Sequence, residues 1–124
     1  MAKDEDALQD HLPLPPPVFH MLLALSQGER HGYALKREVL RRTNGKLNLG
    51  AGALYGSIAR MVERGLVEES ETRPDLHLDD ERRRYYRITP LGRRVAQAEM
   101  LRMRDLVQMA EDCLGLPESL PETI

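Results

Sequence analysis

Residues 52–71 read GALYGSIARMVERGLVEESE, and this stretch decides the fold. Leu54, Ile58, Met61 and Val62 recur at helical spacing, which predicts a helix from Ala53 to Arg64 with those residues facing inward. Ala53, Gly56, Ser57, Arg60 and Arg64 are left for the outer side. Gly65 ends the helix, and Leu66 to Thr72 reads as a polar-flanked strand. The outer side is small, so its backbone can approach another surface closely. Ser57 adds a donor and acceptor, and Arg60 and Arg64 add charge. The bland reading of the same pattern is a solvated face with two ordinary arginines.

Upstream, the spacing predicts two more helices. One runs from Val18 to Gln27 after the Pro15-Pro16-Pro17 run and stops at Gly28. The other runs from Gly32 to Thr43. Its apolar side is Tyr33, Leu35, Val39 and Leu40, and Asn44-Gly45 closes it with residues that tolerate left-handed geometry. Lys46 to Leu49 is too short for more than one strand-like piece, and Gly50 and Gly52 mark a turn. Downstream, Arg73 to Glu81 contains Pro74 and four acids and reads as a hairpin tip, returning through a second strand, Arg82 to Thr89. Thr89-Pro90 is a helix start, and the last helix runs from Pro90 to Leu114, stopped by Gly115 and Pro117.

Three short helices followed by a two-stranded hairpin is the order of a winged helix-turn-helix. The expected class is therefore mainly α with a small β-hairpin wing (α+β). The expected organisation is a disordered acidic segment over 1–14, a winged-helix DNA-binding domain over 15–89, a dimerisation helix over 90–114 and a polar tail over 115–124.

Composition narrows the function classes. The 124 residues are one domain's worth, with 41% hydrophobic and 31% charged residues, a globular balance. There is no Trp and one Phe, so the core rests on Leu, Val, Ile, Ala and Met. The single cysteine, Cys113, excludes an internal disulfide framework and any cysteine-based zinc site, and reads as a small buried residue. No apolar run reaches membrane-spanning length, and the polar, acidic start lacks the features of a secretory leader, so the expected compartment is a reducing cytoplasm. His11, His20, His31 and His77 show no metal-ligand spacing; His31 reads as a cap for the helix at Gly32. No carboxylate pair, nucleophile with base, or phosphate loop argues for an enzyme, and no cofactor or metal is expected.

The formal net charge is −2, but its distribution is uneven. Residues 28–104 hold 17 of the 18 Lys and Arg against 11 of the 20 Asp and Glu, a local balance of +6. A basic middle between acidic ends suits contact with nucleic-acid phosphate. The DNA-facing set is read as Tyr33 and Lys36 from the second helix, Ala53, Tyr55, Ser57, Arg60 and Arg64 from the third, and Arg82, Arg83 and Arg84 from the wing. The last helix carries a broad apolar band whose partner-facing residues are read as Leu91, Val95, Ala98, Leu106, Met109, Ala110 and Cys113. A band that wide packs on its own domain and still offers area to a second copy.

The sequence also resembles the PadR family of bacterial regulators. The matching residues are Leu22-Leu23-Ala24-Leu25, His31-Gly32-Tyr33, Gly52-Ala53-Leu54-Tyr55-Gly56, Glu63-Arg64-Gly65-Leu66-Val67 and Arg84-Tyr85-Tyr86-Arg87-Ile88-Thr89-Pro90-Leu91-Gly92. The resemblance runs from about Val18 to Leu114. It implies a winged-helix DNA-binding domain, a C-terminal dimerisation helix and local repression of transcription, in the short form with one long helix after the wing. The family often has Pro and Thr where this chain has Ala51 and Ala53, which removes a hydroxyl from the start of the third helix. Some relatives hold planar aromatic drugs between paired tryptophans, a mode this Trp-free chain does not share.

The expectation is a homodimeric repressor on a pseudo-palindromic site in double-stranded DNA, relieved by a small-molecule effector of unknown identity. The alternative is a winged-helix protein-interaction module that does not bind DNA.

Overall fold

The computed structural model describes residues 7–71 and 84–119. In chain order these form α1 (Pro16–Leu25), β1 (Arg30–His31), α2 (Gly32–Arg42), α3 (Ala51–Glu63), β2 (Val67–Ser70), β3 (Tyr85–Ile88) and α4 (Pro90–Leu114). The strands make an antiparallel sheet in the order β1-β3-β2. This is the mainly helical winged helix-turn-helix that the hydrophobic spacing predicts. Among the described residues, no helix is long and apolar enough to cross a membrane.

Each helix stops for a local reason. Asn44 takes a positive φ of 52°, and Gly45 N–H reaches back to the Leu40 carbonyl at 2.8 Å, closing α2. Gly65, at φ 76°, does the same for α3, with Leu66 N–H on the Met61 carbonyl at 2.8 Å. α4 starts where Thr89 Oγ1 accepts the Gly92 N–H at 2.9 Å.

Some boundaries differ from the sequence reading. α1 begins at Pro16 rather than Val18, because first-turn N–H groups have no intrahelical acceptor and proline loses nothing there. α3 begins at Ala51, with Gly50 as its cap residue, so Gly52 lies inside the first turn rather than in a loop. β1 is two residues long and leaves no periodic signal; it exists because β3 pairs with it, Arg30 opposite Tyr86 and His31 opposite Tyr85.

The core gathers one side of every helix. Met21 and Leu22 of α1, Leu35 and Val39 of α2, Met61 of α3, Leu66 and Val67 beside the sheet and Val95 of α4 are all buried. Residues 7–14 join them, in contrast to the disordered segment expected over 1–14. Residues 7–9 make a helical turn, Leu8 and Leu12 pack against the core, and Leu14 is buried. The Leu14 N–H donates to Glu99 Oε2 at 2.7 Å, and Glu99, wholly buried on α4, is also paired with Arg102. Burial opposes ionisation of Glu99, but the hydrogen bonds from Arg102 and Leu14 outweigh it and hold the carboxyl below its ordinary range. Residues 1–6, 72–83 and 120–124, with the expected wing tip and the end of the polar tail, lie outside the described residues.

α4 meets the rest of the domain through a contact that admits only glycine. A Cβ on Gly92 would stand 2.0 Å from the Leu66 carbonyl oxygen and 3.0 Å from Ile88 Cγ1. Gly92→Ala is expected to destabilise the protein by about 1–3 kcal/mol or more through overpacking. Gly56 sits in a helix interior with open space where its Cβ would be. Gly56→Ala is expected to stabilise by up to about 1 kcal/mol, from helix propensity. Thermal unfolding followed by circular dichroism checks both signs.

Candidate nucleic-acid interface

α3 turns Leu54, Ser57, Ile58 and Met61 into the core. At 100° per residue, the opposite side is Gly52, Gly56, Ala59 and Glu63. This corrects the outer face expected from the sequence: Ser57 is buried and cannot contact an outside partner, while Val62, expected inside, is exposed. The inward turn of Ser57 follows from its position one residue before Ile58, on the flank of the buried arc. Ala53, Arg60 and Arg64 are exposed along one margin of the outer side, and Tyr55, half exposed, along the other. The first two turns of the outward surface carry almost no side chain, since nothing lies within 4 Å of a Cβ built on Gly52 or Gly56 and Ala59 adds one methyl; the Glu63 carboxylate stands at the far end.

α2 is anchored beside α3 at its N-terminal end. A Cβ on Gly32 would stand 2.8 Å from Tyr55 Cε1, so the Tyr55 ring lies directly against the first residue of α2. His31 caps α2 as expected, its Nδ1 accepting the Ala34 N–H at 3.1 Å, which requires an unprotonated Nδ1. The His31 ring meets Tyr85 of β3 edge-on at 5.4 Å, linking helix cap and hairpin. Tyr33 is exposed, with the Arg37 guanidinium 5.9 Å from its ring centre, and Lys36 is half-buried.

The arginines divide into two groups. Glu38, on α2, accepts from Arg41 at 2.5 Å and Arg42 at 2.8 Å and lies 3.9 Å from Arg30. The Arg41 hydrogen bond, opposed by burial and reinforced by Arg42 and Arg30, brings the Glu38 carboxyl from 4.5 down to about 2. On the hairpin, Arg87 donates to Glu68 at 2.7 Å, and Arg84, exposed, lies 3.8 Å from Glu69. Among the described residues, no carboxylate pairs with Arg60 or Arg64. Arg82 and Arg83 of the expected DNA-facing set lie outside the described residues.

α4 separates into two halves. Val95 is fully buried in its own protomer and Leu91 packs on the same core, so neither offers the partner surface expected of it. Ala98 is half-buried. Beyond Met103 every residue of the helix is exposed, Leu106, Met109, Ala110 and Cys113 among them; Cys113 is thus not the buried residue expected. Met100, Leu101 and Val107, which the sequence reading left out, are exposed as well. Met100, Met103, Val107, Ala110 and Leu114 recur at alternating spacings of three and four, which forms an apolar seam along the helix. The heptad spacing was the signal available for Met100 and Val107.

Among the described residues, no cluster of His, Cys, Asp or Glu could hold a metal ion. The Transcriptional regulator PadR-like family matches residues 21–98. The solved structure of a PadR family transcription regulator from Clostridium difficile R20291 superposes with a TM-score of 0.68 at 20% identity, covering 82% of this chain and all of that one, a likeness of fold. Two curated relatives are similar in sequence. One, from transposon TN4556 of Streptomyces fradiae, is 33% identical over 79 residues, which are 64% of this chain and 20% of that protein. The other, protein X of Lysinibacillus sphaericus, is 30% identical over 73 residues, 59% of this chain and 64% of that one. The match thus spans about a fifth of the first relative and just under two thirds of the second.

Glu38 generates a pH prediction. A carboxyl depressed in the folded state contributes stability that is complete above its ordinary pKa and lost as pH falls towards the folded one. For Glu38 that window runs from 4.5 down to about 2. Glu38→Gln is expected to flatten the acid limb of the stability curve across this window, measured by denaturant melts at a series of pH values.

Proposed function

This chain belongs to the PadR-like family of transcriptional regulators, and from that premise we propose that it represses transcription as a homodimer on a pseudo-palindromic DNA site. Regulators of this family are DNA-binding proteins without enzymatic activity. The observation that carries the proposal is the outer side of α3, bare at Gly52, Gly56 and Ala59 and bordered by Tyr55 and by Arg60 and Arg64, which pair with no carboxylate among the described residues. A helix whose outward face is bare over its first two turns, with Glu63 only at its far end, seats deep in a major groove, and guanidiniums along its margin reach base edges or phosphates. Ala53 offers a methyl to a thymine methyl. Tyr33 and Lys36 of α2, with Arg82, Arg83 and Arg84 of the wing, take the flanking backbone, where contacts position rather than specify.

The exposed distal half of α4 supports the dimer. Met100 and Val107 on the apolar seam, with Leu106 and Met109 further round the helix, are each at least half exposed, which in a monomer leaves these apolar side chains in water. A second copy related by a twofold axis covers it and presents two α3 helices to successive major grooves. An effector acts most directly on this joint, since a change in the angle between protomers alters the distance between the two heads.

Two measurements test the reading. Arg60→Ala is expected to reduce discrimination between specific and random duplex by about 1–3 kcal/mol in fluorescence anisotropy. Equal losses on both duplexes would show that Arg60 contacts backbone only, and no binding of the wild type to its own upstream DNA would remove the proposal altogether. Val107→Glu or Met109→Glu is expected to give a monomer by light scattering and to weaken operator binding in parallel. A wild type that is already monomeric at micromolar concentration, with full operator affinity, would exclude the dimer.

A further inference from the structure

Among the described residues the hairpin carries two cross-strand ion pairs, and they occupy opposite faces. Glu68 stands opposite Arg87 in the ladder, and Arg87 Nε donates to it at 2.7 Å. Arg87 also lies 3.9 Å from Glu29 Oε1, whose other oxygen accepts from Ser70 Oγ at 2.7 Å. This pair is hydrogen-bonded and braced by the segment before β1. Glu69 stands opposite Tyr86, and its Oε1 lies 3.8 Å from Arg84 Nε, diagonally across the ladder. That separation is a charge contact without a hydrogen bond, between side chains 70% and 53% exposed.

The alternation of side chains shows which pair is turned towards α3. Tyr86 and Ile88 share a face with their partners Glu69 and Val67, and Arg84 falls on the same face. Tyr86 and Val67 are buried in the core with Leu54 and Ile58 of α3. The Tyr86 phenol, raised mainly by burial and then by the Glu69 charge, also feels Tyr55 of α3. The Arg84–Glu69 pair therefore lies at the rim of the hairpin face that meets the proposed recognition helix. The Arg87–Glu68 pair lies on the other face.

We infer that Arg84 exchanges Glu69 for a DNA phosphate when the protein binds, so that Glu69 is a built-in competitor that moderates the salt dependence of DNA binding. The inference rests on the reading of α3 and the hairpin as a DNA interface. A carboxylate and a phosphate offer a guanidinium the same kind of anionic oxygen, so the exchange is like for like. An exposed pair without a hydrogen bond is weak and exchanges easily, whereas the braced Arg87 stays with Glu68. A lysine or arginine that binds phosphate ordinarily releases counterions, which sets the slope of log K against log salt at about −0.9 per contact on B-DNA. At Arg84 the balance differs. The phosphate loses its counterions, but Glu69 loses its arginine and draws a cation in their place. The contact then contributes little to the net ion release, and the wing holds DNA with less sensitivity to salt than its charge implies.

The test measures binding of the full chain to a fluorescein-labelled 30-base-pair duplex of arbitrary sequence, from low to moderate salt. Glu69→Gln is expected to bind three- to tenfold tighter at the lowest salt, with a slope steeper by about 0.9. Arg84→Gln added to Glu69→Gln should abolish both changes, and Glu68→Gln should leave the slope as it is. A Glu69→Gln protein with wild-type affinity and slope overturns the exchange. So does equal steepening by Glu68→Gln, which would mark a general effect of net charge. Thermal unfolding of each variant separates a lost fold from a lost contact. If the wild type binds no duplex at the lowest salt, the DNA-binding reading itself fails and takes this inference with it; wild-type binding with an unchanged Glu69→Gln slope sinks the inference alone.

Discussion

The Leu66 carbonyl is the point on which the geometry of this protein turns. It accepts the Thr89 N–H at 3.1 Å and lies so close to Gly92 that no side chain fits between them. Thr89 Oγ1 donates to the Gly65 carbonyl at 2.6 Å while accepting from Gly92, so one residue closes α3 and opens α4. The end of α3, the end of β3 and the start of α4 are thereby drawn into a single joint made mostly of main chain. Main-chain joints leave few rotamers to relax, so the angle between α3 and α4 is set over a few ångströms. In the proposed dimer that angle, doubled by symmetry, decides how far apart the two α3 helices stand.

Charge is distributed with a similar economy. Arg30, Arg41 and Arg42 converge on Glu38, and Arg102 on the buried Glu99, so these guanidiniums hold the fold and contribute little outward field. Arg60 and Arg64, unpaired among the described residues, project theirs into solvent beside the bare face of α3. A chain with a formal net charge of −2 can in this way present a positive surface locally. The count of basic residues in the middle of the sequence overstates that surface, because it cannot tell a guanidinium engaged by a carboxylate from one left in water.

What could be read from the sequence follows from how each feature is encoded. The four helices of ten or more residues, the closing glycines Gly45, Gly65 and Gly115 and the Thr89-Pro90 start are encoded locally, in spacing and in residues with special backbone freedom, and were legible, whereas α1 ends at Leu25, short of the expected stop at Gly28. The order of three helices and a hairpin gave the fold class. Features that depend on distant partners were not legible. β1 exists only because β3 lies beside it, and Leu14 is buried because residues distant in sequence gather round it, Glu99 of α4 among them. The same limit explains the site residues. Ser57 and Val62 both sit at the edges of the buried arc of α3, where an idealised wheel separates inside from outside by a few degrees and the neighbouring elements decide. Val95 belongs to an apolar band that runs unbroken along α4, and only the folded chain shows that the band changes partner near Glu99.

The hydrogen bond between Leu14 and Glu99 places an unequal burden on its two ends. The donor is a peptide N–H, which every residue but proline supplies, whereas the acceptor is one particular carboxylate sealed from water. Mutational drift at position 14 can therefore trade one apolar side chain for another without touching the bond. Drift at position 99 has no such latitude, since an apolar replacement leaves the Leu14 N–H and the Arg102 guanidinium without their buried acceptor. In related chains the two positions should thus evolve at different rates although they share a single contact. A buried acid at this point of α4 would then mark those chains whose leading segment is folded onto the domain.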